Sequence, residues 1–99
     1  MAKRVLRRKA LEDLENIWHY TKENWGESQA DAYYRTLTEA MDFLIRFPEA
    51  GRRYEEVYPG LRGFRAGKHI LFYLIRHKNT VEIIRILHER MDFRRHLGK

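Results

Sequence analysis

An α+β fold in two layers is what this 99-residue chain predicts: a first strand, a helical hairpin, then an antiparallel meander of three strands. Apolar residues recur every three or four positions between Lys9 and Phe47, the period of a helix packed on one face. From Leu61 to His88 the pattern changes to short β-branched and aromatic runs separated by turn residues, as paired strands require. Neither helical stripe is covered by the other alone, so the hairpin needs a sheet to pack on.

Val5 and Leu6, set between basic residues, read as the first strand. The first helix runs from Lys9 to Trp25 with the stripe Leu11, Leu14, Trp18, Thr21 and Trp25, widened by Ala10 and Ile17. Glu12 and Asp13 are expected in its first turn, where carboxylates favour the positive end of the helix dipole. Gly26 supplies the stop. The second helix is expected to start at Ser28, where Ser28-Gln29-Ala30-Asp31 has the form of a capping box, and to end at Pro48. A connection this short forces the two helices antiparallel. Residues 48–60, with two prolines and two glycines, read as a loop. Strands follow near 61–66, 69–76 and 81–88, with a turn at His77-Lys78-Asn79-Thr80. Met91 to Lys99 reads as a short helical turn or a basic tail. Leu14, Trp18, Leu37 and Leu44 are the expected core between hairpin and sheet.

The size fits one compact domain over residues 1–99. The absence of cysteine excludes a disulfide framework and any thiolate metal site, and makes the cytoplasm the expected compartment. The N-terminus is basic but lacks an apolar stretch after it, and no window approaches 18 apolar residues, so neither secretion nor membrane spanning is expected. His19, His69, His77, His88 and His96 show no short metal-ligand spacing, and neither metal nor cofactor is expected. The net charge of +6 is uneven: residues 1–10 carry +5, residues 11–49 carry −6 and residues 50–99 carry +7. A basic face is often only a solvated one. Its functional reading is attraction to an anionic partner, nucleic acid or acidic peptide. Without a helix-turn-helix or RNA-recognition signature, specific nucleic-acid binding is not expected.

Strict alternation in the last strand would put Val81, Ile83, Arg85 and Leu87 on one face and Glu82, Ile84, Ile86 and His88 on the other. Arg85 and His88 then point to opposite sides unless a bulge intervenes. Arg85 reads as an amphipathic side chain covering the sheet, as an ion pair with a helix carboxylate, or as a contact residue. His88 reads either as a strand-end histidine bonded to the backbone or as part of a site. Trp18, Trp25, Tyr33 and Tyr34 read as core and hairpin-interface residues.

Phe47-Pro48-Glu49-Ala50-Gly51, then Gly60-Leu61-Arg62-Gly63-Phe64-Arg65, a Tyr73-bearing strand and Ile86-Leu87-His88-Glu89-Arg90-Met91-Asp92 follow one another in this chain. This order resembles the ParE branch of the RelE/ParE toxin superfamily, over nearly the whole chain. The final motif is fairly specific to that branch, while the Pro-x-x-Gly and Gly-x-Arg elements are shared more widely. The resemblance implies that the first strand lies beside the last, giving a four-stranded sheet of order 1-4-3-2. It also implies a toxin that inhibits DNA gyrase without catalysis and is neutralised by a ParD-type antitoxin. Candidate target contacts are His88, Arg90, Met91, Arg62, Arg65 and Arg85. Candidate antitoxin contacts are Arg62, Arg65, Tyr73, Arg94 and Arg95. Pliable Met91 and the arginines suit an interface, and a strand end leading into a basic segment can present both.

Two alternatives stand beside it. Arg62, Arg65, His69 and Tyr73 clustered on an open sheet face would suit RNA cleavage, as in ribonucleases of the same superfamily. Against this, no tyrosine follows Tyr73, and the central loop offers only Arg52-Arg53 with Glu55-Glu56 in place of a Lys-x-Lys pair. The other alternative is a domain that has lost toxicity and only binds its antitoxin.

Overall fold

The computed structural model describes residues 3–77 and 80–97. In chain order the elements are β1 (Lys3–Leu6), α1 (Arg8–Trp25), α2 (Glu27–Arg46), a 3-10 turn (Pro48–Ala50), β2 (Arg52–Arg53), β3 (Arg62–Ala66), β4 (His69–Arg76), β5 (Thr80–His88) and α3 (Phe93–Leu97). The class is α+β as expected, but the sheet has five strands, ordered β1-β5-β4-β3-β2. The four anticipated strands keep their anticipated neighbours. The fifth, β2, lies in the stretch expected to be loop and pairs antiparallel with β3 through Arg52↔Gly63 and Arg53↔Arg62. Two exposed arginines carry no apolar alternation, so nothing in their side chains announces a strand. The sheet is also mixed, because β1 runs parallel to β5, Lys3 opposite Thr80 and Leu6 opposite Ile83. Lys78 and Asn79 of the expected turn lie outside the described residues.

One residue makes the hairpin. Gly26, at φ 98°, donates its N–H to the Lys22 carbonyl at 2.8 Å to close α1, and its carbonyl accepts the Ala30 N–H at 3.0 Å to open α2. Only glycine takes that conformation without strain. Two helix-end expectations need correction. α2 starts at Glu27 with no side-chain cap, so the Ser28 box does not form, and Asp31 instead accepts the Trp18 indole N–H at 3.0 Å. α1 starts at Arg8, leaving no acid in its first turn, and Asp13 serves a different purpose described below.

The sheet carries apolar cover on both faces. Leu14, Leu37, Met41 and Leu44 of the hairpin bury against Leu71, Tyr73, Val81, Ile83 and Ile86. Trp18 was expected in this layer but is only half-buried, its side chain turned to the α1–α2 seam beside Asp31. On the opposite face Leu61, Phe72, Leu74, Ile84 and Leu87 are covered by Tyr54, Val57, Phe93 and Leu97. The stretch after the 3-10 turn and the C-terminal segment thus close a face that the helices leave open. Each fully buried Leu, Ile or Phe among them stabilises the fold by roughly 1.5–3 kcal/mol relative to exposure.

Strict alternation in β5 fails at one residue. Phe72 pairs with Arg85 while its neighbour Tyr73 pairs with Ile83, so Ile84 is an extra residue in β5, a β-bulge. Val81 and Ile83 before it and Ile86 after it all join the hairpin-side core, and Ile84 and Leu87 join the other. β1 ends opposite Ile83, and α1 takes over the strand edge beyond it. There Asp13 accepts hydrogen bonds from Arg85 Nε (2.8 Å), Arg85 Nη2 (3.0 Å) and the Ile86 backbone N–H (2.9 Å). One carboxylate thus satisfies the backbone that the bulge displaces and fastens α1 to it.

Candidate functional site

The end of β5 and the segment after it form a fixed platform. The Glu89 N–H donates to the Lys68 carbonyl at 2.9 Å, carrying the β4–β5 pairing one residue past the strand. The Met91 N–H then donates to the His88 carbonyl at 3.0 Å and turns the chain. Asp92 starts α3, its side chain accepting the Arg94 N–H at 3.2 Å and its carbonyl the Arg95 N–H at 3.1 Å. Phe93 anchors α3 edge-on to Phe72, ring centroids 4.8 Å apart, with Leu97 in the same apolar cluster. Of the two readings of Met91 to Lys99, the short helical turn is the one found, docked as far as Leu97; residues 98–99 lie outside the described residues. Arg90, Met91, Arg94 and Arg95 face solvent. Among the described residues, Arg90, Arg94 and Arg95 form no ion pair, so this surface is cationic with one apolar side chain in it.

The remaining candidates fall in three separate places. Arg62 donates to the carbonyls of Glu49 (3.2 Å) and Gly51 (3.0 Å), pinning the turn after α2. Tyr73 serves the same turn: its hydroxyl donates to the Pro48 carbonyl at 2.6 Å and accepts the Gly51 N–H at 2.9 Å. Burial raises the Tyr73 pKa, which keeps that hydroxyl protonated. A Cβ at Gly51 would collide with the Tyr73 ring, which explains a glycine here despite its ordinary extended backbone. Tyr73 is wholly buried, so its expected place among antitoxin contacts is corrected: it has no surface to offer. Arg65 lies on the far side of the sheet, ion-paired to Glu89 at 2.6 Å and largely exposed. Arg85 is the expected ion pair with a helix carboxylate, and the Asp13 hydrogen bonds raise its pKa further. The Arg62, Arg65, His69 and Tyr73 cluster expected on one open face is not assembled: Arg65 is on one side of the sheet and Tyr73 and His69 on the other, at different turns.

His69 and His88 face each other across β4 and β5, ring centroids 5.3 Å apart. The Tyr33 hydroxyl accepts the Lys68 N–H at 2.9 Å and lies 2.7 Å from His69 Nδ1. Its competing acceptor, the Ala66 carbonyl, is 3.4 Å away, so the hydroxyl hydrogen belongs on the imidazole contact. His88 Nδ1 accepts the Arg90 N–H at 3.1 Å, the backbone bond expected of a strand-end histidine. Around the pair opens a groove of about 520 Å³ walled by Tyr20, Trp25 and Tyr33, with Lys68 at its rim. Trp25 was expected in the helix stripe but is 71% exposed, and Tyr20 is 66% exposed. The available signal was position: Trp25 stands a full turn past Thr21, the last buried residue of α1. Among the described residues no group of three histidine or carboxylate side chains could hold a metal ion.

Burial, reinforced by the neighbouring His88, lowers the His69 pKa from 6.5 to about 4, against a smaller opposing pull from Asp13 and Glu89. A folded-state pKa below the unfolded one means the unfolded chain binds more protons between those values. The contribution from neutral His69 is therefore complete above pH 6.5 and is lost as pH falls toward about 4. Urea midpoints taken from pH 7 to pH 4.5 should fall more steeply for the parent than for His69→Gln. Equal slopes would sink this assignment.

A family model described as "ParE toxin of type II toxin-antitoxin system, parDE" matches residues 5–93. The chain is similar to "Toxin ParE1" of Mycobacterium tuberculosis (strain H37Rv), 43% identical over 84 residues that cover 85% of this chain and 86% of the relative. It is similar to "Toxin ParE1" of Caulobacter vibrioides at 39% identity over 93 residues, covering 94% and 95% of the two chains. Among solved structures, "Chromosomal ParDE TA system from P. aeruginosa" superposes with a TM-score of 0.76 at 23% identity, covering 89% of this chain and 95% of that one. That last likeness bears on the fold.

Proposed function

We propose that this chain, which belongs to the ParE toxin family of type II toxin–antitoxin systems, arrests growth by inhibiting DNA gyrase and is neutralised by a ParD-type antitoxin. The observation that carries the reading is the family match over residues 5–93, which takes in α1, α2, the sheet from Val5 of β1 onward and the turn into α3. Names of relatives add to it: two proteins about two-fifths identical are called toxins, and the solved relative is titled as a ParDE system. Gyrase as the target rests on the family resemblance.

Inhibition by surface contact is favoured over RNA cleavage by the scatter of Arg62, Arg65, His69 and Tyr73. General acid–base chemistry on one phosphodiester needs its groups within reach of one another. Arg90 and Met91 are the proposed target contacts, exposed at the strand exit, with His88 shaping the turn beneath them. Arg62, Arg65, Arg94 and Arg95 are the proposed contacts for an acidic antitoxin segment. Arg85 is held by Asp13 and acts as a brace.

Purified protein assayed in parallel for gyrase supercoiling and for translation of a reporter message tests the reading. Loss of supercoiling with an intact message is expected. A cut message would select the ribonuclease alternative, and activity in neither assay the antitoxin-binding relic. The double variant Arg90→Ala/Met91→Ala removes two exposed side chains and should keep the parent melting temperature. It should weaken gyrase inhibition by about tenfold or more, since interface anchors contribute about 1–2 kcal/mol each. A folded variant with full potency would move the contact to β3, to Arg62 or to Arg65 on their separate faces of the sheet.

A further inference from the structure

The groove between α1 and the end of the β4–β5 pair is not used by the toxin reading above, and its chemistry is specific. Tyr33 and the Arg90 backbone occupy Nδ1 of His69 and His88 respectively. With Nδ1 accepting in both rings, each carries its hydrogen on Nε2. No buried side-chain nitrogen or oxygen among the described residues lacks a partner, so each unbonded Nε2–H keeps access to solvent, and both rings line the groove. The site thus offers two N–H donors, no acceptor from either imidazole, Lys68 at the rim and aromatic walls from Tyr20, Trp25 and Tyr33.

We propose that this groove binds a peptide segment bearing one carboxylate beside an apolar side chain. The two Nε2–H groups and Lys68 take the carboxylate, and Trp25 and Tyr20 cover the apolar neighbour. Charge selects this occupant over a nucleic acid. Among the lining residues Lys68 is a cation and none is an acid, so one carboxylate finds a partner there. A longer polyphosphate would run along helices that carry six acids against one base, Lys22, between Glu12 and Asp31, of which Asp13 is paired to Arg85. His69 also stays neutral at physiological pH, so it donates without needing a counter-charge in the empty groove. The inference rests on the groove alone and stands whether or not the protein acts on gyrase.

The test uses the full chain with isotope-labelled histidine, titrated with N-acetyl-Leu-Glu-Leu-amide, its Gln counterpart and a single-stranded oligothymidylate. The Glu peptide should move the Nε2–H resonances of both His69 and His88 together. It should bind about tenfold or more tightly than the Gln peptide, because charge-assisted hydrogen bonds are roughly twice as strong as neutral ones. It should also raise the His69 titration midpoint, set in the free protein by burial, His88, Asp13 and Glu89 and flanked by Tyr33 and Lys68. Trp25→Ala, a change at an exposed position, should weaken the Glu peptide several-fold with no change in melting temperature. Equal affinity for the two peptides, shifts lying outside the groove, no response to the Glu peptide, or an unaffected Trp25→Ala variant would each overturn the proposal. Tighter binding of the oligothymidylate would assign the groove to nucleic acid instead.

Discussion

Asp13→Ala is expected to destabilise the protein by about 2–4 kcal/mol, in spite of a change confined to one helix-surface carboxylate. Asp13 accepts two bonds from Arg85 and one from the Ile86 backbone, and its side chain is 15% exposed against 18% for Arg85. Breaking a fully buried ion pair by removing one partner costs about 3–5 kcal/mol. Partial access to water screens the orphaned guanidinium and lowers that figure. The stranded Ile86 N–H restores some of it, because an unmade bond at a buried backbone donor costs about 1–3 kcal/mol. Urea unfolding of parent and variant measures the loss. Asp13→Asn should be milder, since an amide oxygen can still accept from Ile86. Asp13→Ala combined with Arg85→Met should recover part of the loss by removing the unpaired charge. A single-variant cost below about 1 kcal/mol would mean that the bulge is held by packing alone.

Leu37→Ala should cost on the order of 2–5 kcal/mol, the range for large-to-small changes in a closed core. Leu37 has no exposed surface and lies mid-helix in α2, among Leu14, Met41 and the sheet residues Leu71, Tyr73 and Ile83. Ala40→Gly would test helix propensity instead, at about 1 kcal/mol. Thermal and urea denaturation of Leu37→Ala decide it. A loss under about 1 kcal/mol would show a core able to relax around the missing methyls.

The hairpin and the three long strands were legible because each rests on many side chains repeating one period. Leu14, Leu37 and Leu44 fell where the 3.6-residue spacing puts them. Features carried by one residue or by backbone alone were not legible. β2 is two exposed arginines joined to β3 by main-chain bonds. The bulge at Ile84 is one isoleucine among several, and which of them is extra depends on partner strands remote in sequence. The Ser28 box failed because Gly26 had already set where α2 begins, and Asp31 then found Trp18. In the candidate surface, the Asp13 pairing of Arg85 matched one of three open readings, and the backbone bond of His88 one of two. Tyr73 did not: a tyrosine in a strand looks the same whether its hydroxyl meets solvent or a turn 22 residues upstream.

The inserted Ile84 gives β5 two phases. Before it, odd-numbered side chains face the helices, as Val81 and Ile83 do; after it, Ile86 and His88 do so at even numbers. The Leu-His-Glu-Arg stretch therefore keeps its orientation only by counting from the bulge, never from the start of the strand. Losing one residue before Arg85 could be absorbed by erasing the bulge, leaving the downstream phase intact. The same loss after Arg85 would turn His88 toward Phe93 and Glu89 toward Tyr33, inverting the rim while every residue type in it survived. Grafting this motif between relatives is thus a matter of parity, and a chimera joined one residue out of step would carry the right letters on the wrong face.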